Sequence, residues 1–406
     1  MKLPDGWKYI KLSELFDEVS EKNHSNVEVL TIVQGVGTVP RKDSGRDIIY
    51  DKNSLSNYKY VQKDDFIIHL RSFEGGFEIA NQEGIVSPAY IILHPKIQAE
   101  PGYLYALFHS NRFINQTMAP AVEGVRDGRT VKYEVLKNQS IPFPPLAEQQ
   151  KIAEILCKQD KIISLKQKLM EQKLQQKKYF MQKFLEVPHA DTDYEDNFLL
   201  GGVVIDKRGW KKEKIKNIAE ISSGSTPRRD ETENFNGNIL WLTSGELKQK
   251  YISDTKEHIS KKGAENCNLT IYKPGTVVIA IYGLEAAGIR GTCSIINTEC
   301  TISQACMAFT NFKKVTNEYF YYWYLQNGQT IGIRYAQGTK QQNLSTDLIG
   351  NLSIEIPSLP EQKIIAQVLS AADKEIALLK SSIEQEKQKK KSLAQLLLTG
   401  TVRVNT

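Results

Sequence analysis

The 406-residue sequence has few cysteines and no pattern among them. The five, at positions 157, 267, 293, 300 and 306, are odd in number and include no Cys-x-x-Cys. That argues against a disulfide scaffold or a structural zinc site and fits a reduced, cytosolic setting. No apolar run approaches the roughly 18 residues that cross a bilayer. The longest, such as Thr276-Val277-Val278-Ile279-Ala280-Ile281-Tyr282, has the length of a strand. Met1-Lys2-Leu3-Pro4-Asp5-Gly6-Trp7 lacks the apolar core of a secretion signal. Charge of one sign barely dominates: 53 Lys+Arg against 47 Asp+Glu leave +6, which excludes a histone-like binder and neither demands nor forbids nucleic acid. With 40% hydrophobic and 25% charged residues, the chain is not collagen-like, disordered or membrane-embedded. Its length allows two to three domains of about 150 residues.

Catalytic signatures are missing too. The sequence contains no GxxxxGK[ST] phosphate loop, no GxSxG elbow and no HExxH. The Asn/Asp-Pro-Pro-aromatic motif of adenine methyltransferases is absent, because Phe143-Pro144-Pro145-Leu146 lacks the polar first residue. Gly35-Val36-Gly37 is a lone GxG and reads as a turn; Glu246-Leu247-Lys248 has the tail of some nuclease sites without the preceding Pro-Asp, and reads as a solvated loop. The six histidines are scattered singly, which suits structural or exposed roles better than a base or ligand. Cys293, Cys300 and Cys306 lie in β-like sequence and read as small core residues. No catalytic, metal-ligating or cofactor-binding residue is assigned.

What is present is a repeat. Pro144-Pro145-Leu146-Ala147-Glu148-Gln149 returns as Pro357-Ser358-Leu359-Pro360-Glu361-Gln362, an offset of 361 − 148 = 213, and the registration holds along the stretch that follows. Gly6-Trp7-Lys8 returns as Gly209-Trp210-Lys211, an offset of 203. Between these anchors the match weakens, so the copies agree at their ends and differ in their middles. Each copy opens with a mixed α/β globule, residues 1–143 and 209–356. Short β-like runs such as Phe66-Ile67-Ile68-His69-Leu70 and Cys306-Met307-Ala308-Phe309 are punctuated by Gly, Asn, Asp and Pro, and a helical stretch follows at 101–115 and 317–326. Tyr319-Phe320-Tyr321-Tyr322-Trp323-Tyr324 invites a base-stacking reading, but a helix packed into the core explains both it and its partly aliphatic counterpart Tyr103-Leu104-Tyr105-Ala106-Leu107-Phe108.

Each copy then runs into one long helix, at 144–187 and 357–400, with no Gly or Pro over residues 148–185 and 361–398. The second carries an apolar seam at alternating four and three spacing through Ile365, Leu369, Ile376, Leu379, Ile383, Leu393 and Leu397. Subtracting 213 gives Ile152, Leu156, Ile163, Lys166, Met170, Phe180 and Phe184, and both seams turn polar at the same two places, Lys173 and Lys177 against Glu386 and Lys390. A 3.5-residue period is the coiled-coil pattern, and the natural partner of each helix is the other. Ser358-x-x-Glu361 is a capping box, and Gly400 is a glycine stop. Residues 188–208, rich in Asp and Glu, read as an acidic linker. Lys-rich faces at Lys173, Lys177, Lys178 and 387–391 read as solvated helix surface or partner docking.

The remaining chemistry is recognition chemistry. Polar, glycine-flanked loops recur in corresponding places of both copies. They offer Arg41, Lys42 and Arg46, then Arg71, then Arg126 and Arg129 in the first copy. In the second they offer Ser225, Thr226, Arg228 and Arg229, then Arg290, then Lys340, Gln341 and Gln342. Arginine can fork onto guanine and glutamine onto adenine in a major groove, while Lys, Ser and Thr can hold phosphates. These are the candidate DNA-binding residues; any one such loop is also an ordinary surface loop.

Globule, Pro-x-Leu-x-Glu-Gln, long helix, repeated once, resembles the specificity subunit of type I restriction-modification systems over essentially the whole chain. Gly224-Ser225-Thr226-Pro227, Trp241 and Tyr272-Lys273-Pro274-Gly275-Thr276 carry the resemblance further. The first copy departs from it: it has no Gly-Ser-Thr-Pro, and Lys63-Asp64-Asp65 stands where Lys273-Pro274-Gly275 does. The resemblance implies an α+β fold made of two target recognition domains, each reading one half of a bipartite, asymmetric DNA site, with the two helices as an antiparallel coiled-coil spacer. It implies a non-catalytic chain in a prokaryotic cytoplasm. Its partners would be double-stranded DNA, two methyltransferase subunits and motor-nuclease restriction subunits, which would bind the S-adenosylmethionine, ATP and Mg2+. The docking motif for those subunits would be Pro144, Leu146, Glu148 and Gln149 with Pro357, Leu359, Glu361 and Gln362. Two other readings stay open on sequence: a self-contained DNA-modifying enzyme with an unrecognised site, and a protein-interaction scaffold that never touches DNA.

Overall fold

The computed structural model describes residues 3–45, 52–68, 76–123, 130–186, 197–338 and 342–405. The chain divides into two compact units, Met1–Lys168 with Lys380–Thr406, and Leu169–Leu379. The divisions fall inside the long helices rather than at the head–helix junctions, because each half of the helix pair packs with one head.

In the first unit a four-stranded antiparallel sheet runs in the order Phe16–Val19, Ile91–Pro95, Phe66–Ile68, Glu78–Ile79. Its residues alternate between two apolar layers. Phe66, Ile68 and Leu93 face a core with Leu104, Phe108 and Phe113, whereas Ile67 and Ile92 face Leu30, Val61 and Val86. Period-two alternation with apolar residues on both faces is what a sheet covered on both sides requires.

The second unit repeats the order with different side chains: Glu220–Ser223, Cys306–Thr310, Val277–Ala280, Cys293–Ile296, plus Tyr251–Ile252 as an added parallel edge. Beside it Ile239–Leu242 lies between Glu257–Ile259 and Cys300–Ile302. In both units the strand after the Gly-Trp pairs with the strand before the long helix: Lys8–Lys11 with Ser140–Phe143, and Lys211–Lys214 with Ser353–Ile356. The six aromatics Tyr319 to Tyr324 are all buried, as a core helix requires. That helix, Asn317–Tyr335, outruns its expected end near residue 326. Gly328 and Gly332 lie inside it, and their missing β-carbons leave room for Gly291 and the Arg290 side chain to pack against it. Cys293, Cys300 and Cys306 are buried, and burial pushes the Cys300 and Cys306 thiols up to about 12, which suits packing rather than reactivity.

The long helices are Leu146–Leu185 and Leu359–Leu398. Every expected seam position on both is buried or half-buried, Ile152, Leu156, Ile163, Met170, Phe180 and Phe184 on one, Ile365, Leu369, Ile376, Leu379, Ile383, Leu393 and Leu397 on the other. The helices pack antiparallel. Within the first unit Gln159 and Lys166 donate to Glu386, at 2.6 and 2.8 Å, and Lys390 meets Asp160 at 2.5 Å. Within the second, Lys173 meets Glu375 at 3.0 Å and Lys177 meets Asp373. The polar seam positions Lys173, Lys177 and Lys390 thus face carboxylates across the pair rather than solvent alone. The first-head core takes in Ile152, Ala153 and Leu156 with Leu397 and Leu398; the second takes in Ile365, Ala366 and Leu369 with Phe184 and Leu185. These two sets are related residue for residue by the 213 offset.

Gly400 ends the second helix at φ +70°, and Gly400 N–H donates to Leu397 O at 3.2 Å. At the start of that helix Glu361 Oε2 accepts from the Ser358 N–H at 2.8 Å, the carboxylate half of the capping box. The expected linker is partly structured: Asn197–Leu200 and Val203–Asp206 form a hairpin, turned by Gly201 and Gly202 at φ +54° and +83°. Its alternation of Phe198 and Leu200 against the second core was masked in sequence by the acidic residues before it, which lie outside the described residues. No helix among the described residues is long and apolar enough to cross a membrane.

Candidate nucleic-acid interface

Each head is fixed to its helix by one tryptophan and one Glu-Gln pair. Trp7 Nε1 donates to Glu148 Oε2 at 2.9 Å, and Trp210 Nε1 donates to Glu361 Oε1 at 3.1 Å. Gln149 donates to Pro144 O at 2.8 Å and accepts from the Glu100 N–H at 2.9 Å. Gln362 donates to Pro357 O at 2.9 Å and to Lys314 O at 2.8 Å, and accepts from the Thr316 N–H at 2.7 Å. All four Glu-Gln side chains are buried. The two stretches that the repeat keeps alike are therefore the stretches that touch, and the carboxylates and amides of the expected docking motif are taken up inside each unit. Of that motif Leu359 is the exposed member, at 51%; Pro144 is buried and Leu146 half-buried. Glu148 carries one further partner: Arg403 donates to both its oxygens, Nε at 3.1 Å.

The candidate reading loops sit on these frames. In the second head Gly224 lies so close to the strand beside it that a β-carbon would stand 2.1 Å from Ile302 O. Ser225 O accepts from Trp241 Nε1 at 3.2 Å, Pro227 is buried, and Ser225 and Thr226 are half-buried. The loop then presents two arginines with different fates. Arg228 is exposed and pairs with Asp230 at 2.8 Å. Arg229 lies over Phe235 and Trp241, 4.7 and 5.3 Å from their centroids, and forks onto Glu257 at 2.6 and 2.9 Å. That fork holds the Glu257 carboxyl below its ordinary value and the guanidinium above its own. Arg229 is thereby tied to the rings and the carboxylate of its own head while staying exposed, as Arg228 is. Sequence reading did not bring Glu257 or Phe235 into this site. They lie 28 and 6 residues away, and neither stands in a periodic pattern with Arg229.

Further along, Arg290 Nη2 donates to Gln342 Oε1, so two of the candidate residues meet. Lys340 and Gln341 lie outside the described residues. In the first head Arg41 is half-buried with its guanidinium 5.8 Å from the Tyr58 ring centroid, and exposed Lys42 approaches Glu28 at 3.6 Å. Arg46, Arg71, Arg126 and Arg129 lie outside the described residues. No group of three metal-ligating side chains occurs among the described residues.

A family model for the type I restriction modification DNA specificity domain matches twice, over residues 4–175 and 207–388. The MjaVIII specificity subunit of a type I restriction enzyme from Methanocaldococcus jannaschii is 24% identical over 419 residues, covering 100% of this chain and 95% of that protein. Two solved structures share the fold. One comes from work on complex assembly and conformational transition of a type I R-M system, with TM-score 0.63, 16% identity, and 99% and 100% of the two chains covered. The other is the HsdS subunit of Thermoanaerobacter tengcongensis, with TM-score 0.52, 17% identity, and 99% of each chain covered.

Proposed function

Because this chain belongs to the type I restriction modification DNA specificity family and carries two copies of its domain, we propose that it is the DNA-recognition subunit of a type I restriction-modification complex. Each head reads one half of a bipartite site. The loops of the two heads differ, so the site is asymmetric, and the paired helices act as the spacer. The observation that carries this reading is the duplicated Trp-to-Glu junction, which places two different loop sets on one repeated frame. The methyl-transfer and cleavage chemistry, with S-adenosylmethionine, ATP and Mg2+, belongs to partner subunits. Two methyltransferase subunits dock on the helical region, and motor-nuclease subunits complete the restriction complex. The setting is the cytoplasm of a prokaryote. A net charge of only +6 fits a chain that shares phosphate contact with such partners.

The test is methylome sequencing of cells that carry the chain with its methyltransferase. A bipartite, non-palindromic modified motif is expected, and exchange of residues 1–143 for another head changes one half of it only. No modified motif, or a single contiguous palindrome, counts against the proposal.

A further inference from the structure

Arg290 differs from the other described candidate arginines of the second head in what it is paired with. Arg228 and Arg229 are neutralised by Asp230 and Glu257. Arg290 hydrogen-bonds a neutral amide, Gln342 Oε1, and its buried Nε has no hydrogen-bond partner among the described residues. An atom sealed from solvent is closed to a base as well, so contact with one falls to the terminal N–H groups on Nη1 and Nη2.

The side chain is also held in place. Its Cγ and Cδ cross the helix Asn317–Tyr335 at Gly332, where a β-carbon would stand 2.5 and 2.9 Å from them. The next residue, Gly291, has φ +76° and lies against Gly328 and Gln329 of the same helix. Gln342 is fixed in turn. Its N–H donates to Glu285 Oε2 at 3.0 Å, and its carbonyl accepts from the Leu284 N–H at 3.3 Å. Asn343 bridges to Tyr282 and to Gln337. Three segments thus converge on one fixed guanidinium–amide pair, beside the Glu285 carboxylate, which the Gln342 N–H and the Arg290 charge hold below its ordinary value.

We infer that Arg290 is a specificity-determining residue of the second head, that it reads a guanine, and that Gln342 and Gly332 are its positioning residues. A guanidinium carries only N–H donors, and guanine presents two acceptors, N7 and O6, on its major-groove edge. Adenine offers a donor beside its acceptor there and matches less well. The inference rests on the DNA-reading role proposed above.

The experiment sequences the modified motif made by the full chain with its methyltransferase, for the wild type and for R290K, R290Q and G332A, with G245A as control. A β-carbon at Gly245 meets nothing within 4 Å. Lysine keeps the stem packed and the charge but loses the fork, so R290K folds and its thermal melt stays close to wild type. The expected result is that one guanine of one half-site is relaxed in all three variants, with about tenfold or greater loss of discrimination. The other half-site and the G245A motif stay unchanged. An unchanged bipartite motif in R290K, R290Q and G332A overturns the assignment of Arg290 while leaving the heads as DNA readers. A change in the other half-site, or uniform loss of modification by folded R290K, overturns it as well. Absence of any modified motif in the wild type brings down the underlying reading and this one with it.

Discussion

Lys390 Nζ lies 2.5 Å from Asp160 Oδ1, and the same pairing returns with both residues shifted by 213 as Lys177 with Asp373. A charge pair that survives duplication in both directions is a marker of register. It fixes which turn of one helix faces which turn of the other, as polar residues in coiled-coil seams do. Exposed ion pairs add little energy, about 0.5 kcal/mol. Asp160→Lys sets two ammonium groups face to face and is expected to lower stability by about 1 kcal/mol. Adding Lys390→Asp should recover most of that. Thermal melts check this, and the differences should shrink at high salt.

The two head–helix junctions are not equal. Glu148 takes a tryptophan N–H and a guanidinium, whereas Glu361 takes Trp210 and the backbone N–H groups of Asp206 and Ser358. Glu148→Gln leaves Arg403 facing a neutral amide in a mostly buried site, and about 2 kcal/mol is the expected loss. Arg403→Ala combined with Glu148→Gln should cost less than the sum of the two single changes. Denaturant melts of the four proteins measure that coupling, and strict additivity would show that the bond contributes nothing.

Arg229 makes the stability of the second head pH-dependent. Its fork lowers the Glu257 carboxyl from an ordinary 4.5. A carboxyl lowered in the folded state stabilises fully above its unfolded value, and that contribution disappears as pH falls through the folded one. The gap in melting temperature between wild type and Arg229→Met is therefore expected to be widest near neutral pH and to close as pH falls below the ordinary carboxyl value of 4.5. A gap that widens on acidification would contradict the assignment. Because the pair is about half exposed, the gap should be small.

Gly400 combines a left-handed backbone with a close neighbour: φ is +70°, and a β-carbon would stand 2.4 Å from Pro4 Cγ. Gly400→Ala is expected to destabilise by about 1–2 kcal/mol from the backbone alone. Gly245→Ala, in open space, should be close to neutral. Chemical denaturation of both variants tests the contrast.

Periodicity and repetition carried most of the architecture. The seam from Ile152 to Phe184 and from Ile365 to Leu397 was legible because burial along a helix pair leaves a regular trace. Tyr319 to Tyr324 were legible as core from a different cue, their partly aliphatic counterpart Tyr103 to Phe108. The candidate reading loops left no such trace. Nothing in the local sequence says that Arg229 stacks on Trp241 and forks onto Glu257, or that Arg290 finds Gln342 52 residues away. The bonds from Trp7 to Glu148 and from Trp210 to Glu361 were also hidden: the sequence offers Glu361 as a capping-box carboxylate and both as docking-motif residues, and nothing local brings the distant Gly-Trp beside them.

The unit built from Met1–Lys168 and Lys380–Thr406 contains residues made before Leu169–Leu379 and residues made after it, while Leu169–Leu379 is one uninterrupted stretch. A ribosome therefore delivers all of the second head before it delivers Leu397, Leu398 and Arg403, which close the core and the junction of the first. The first head waits, with that side of its core open to water, for a contact 255 residues downstream of Glu148. Nascent chains stopped before residue 380 should accordingly hold a first head that is open to proteases and chaperones, a cost that the contiguous second head does not share.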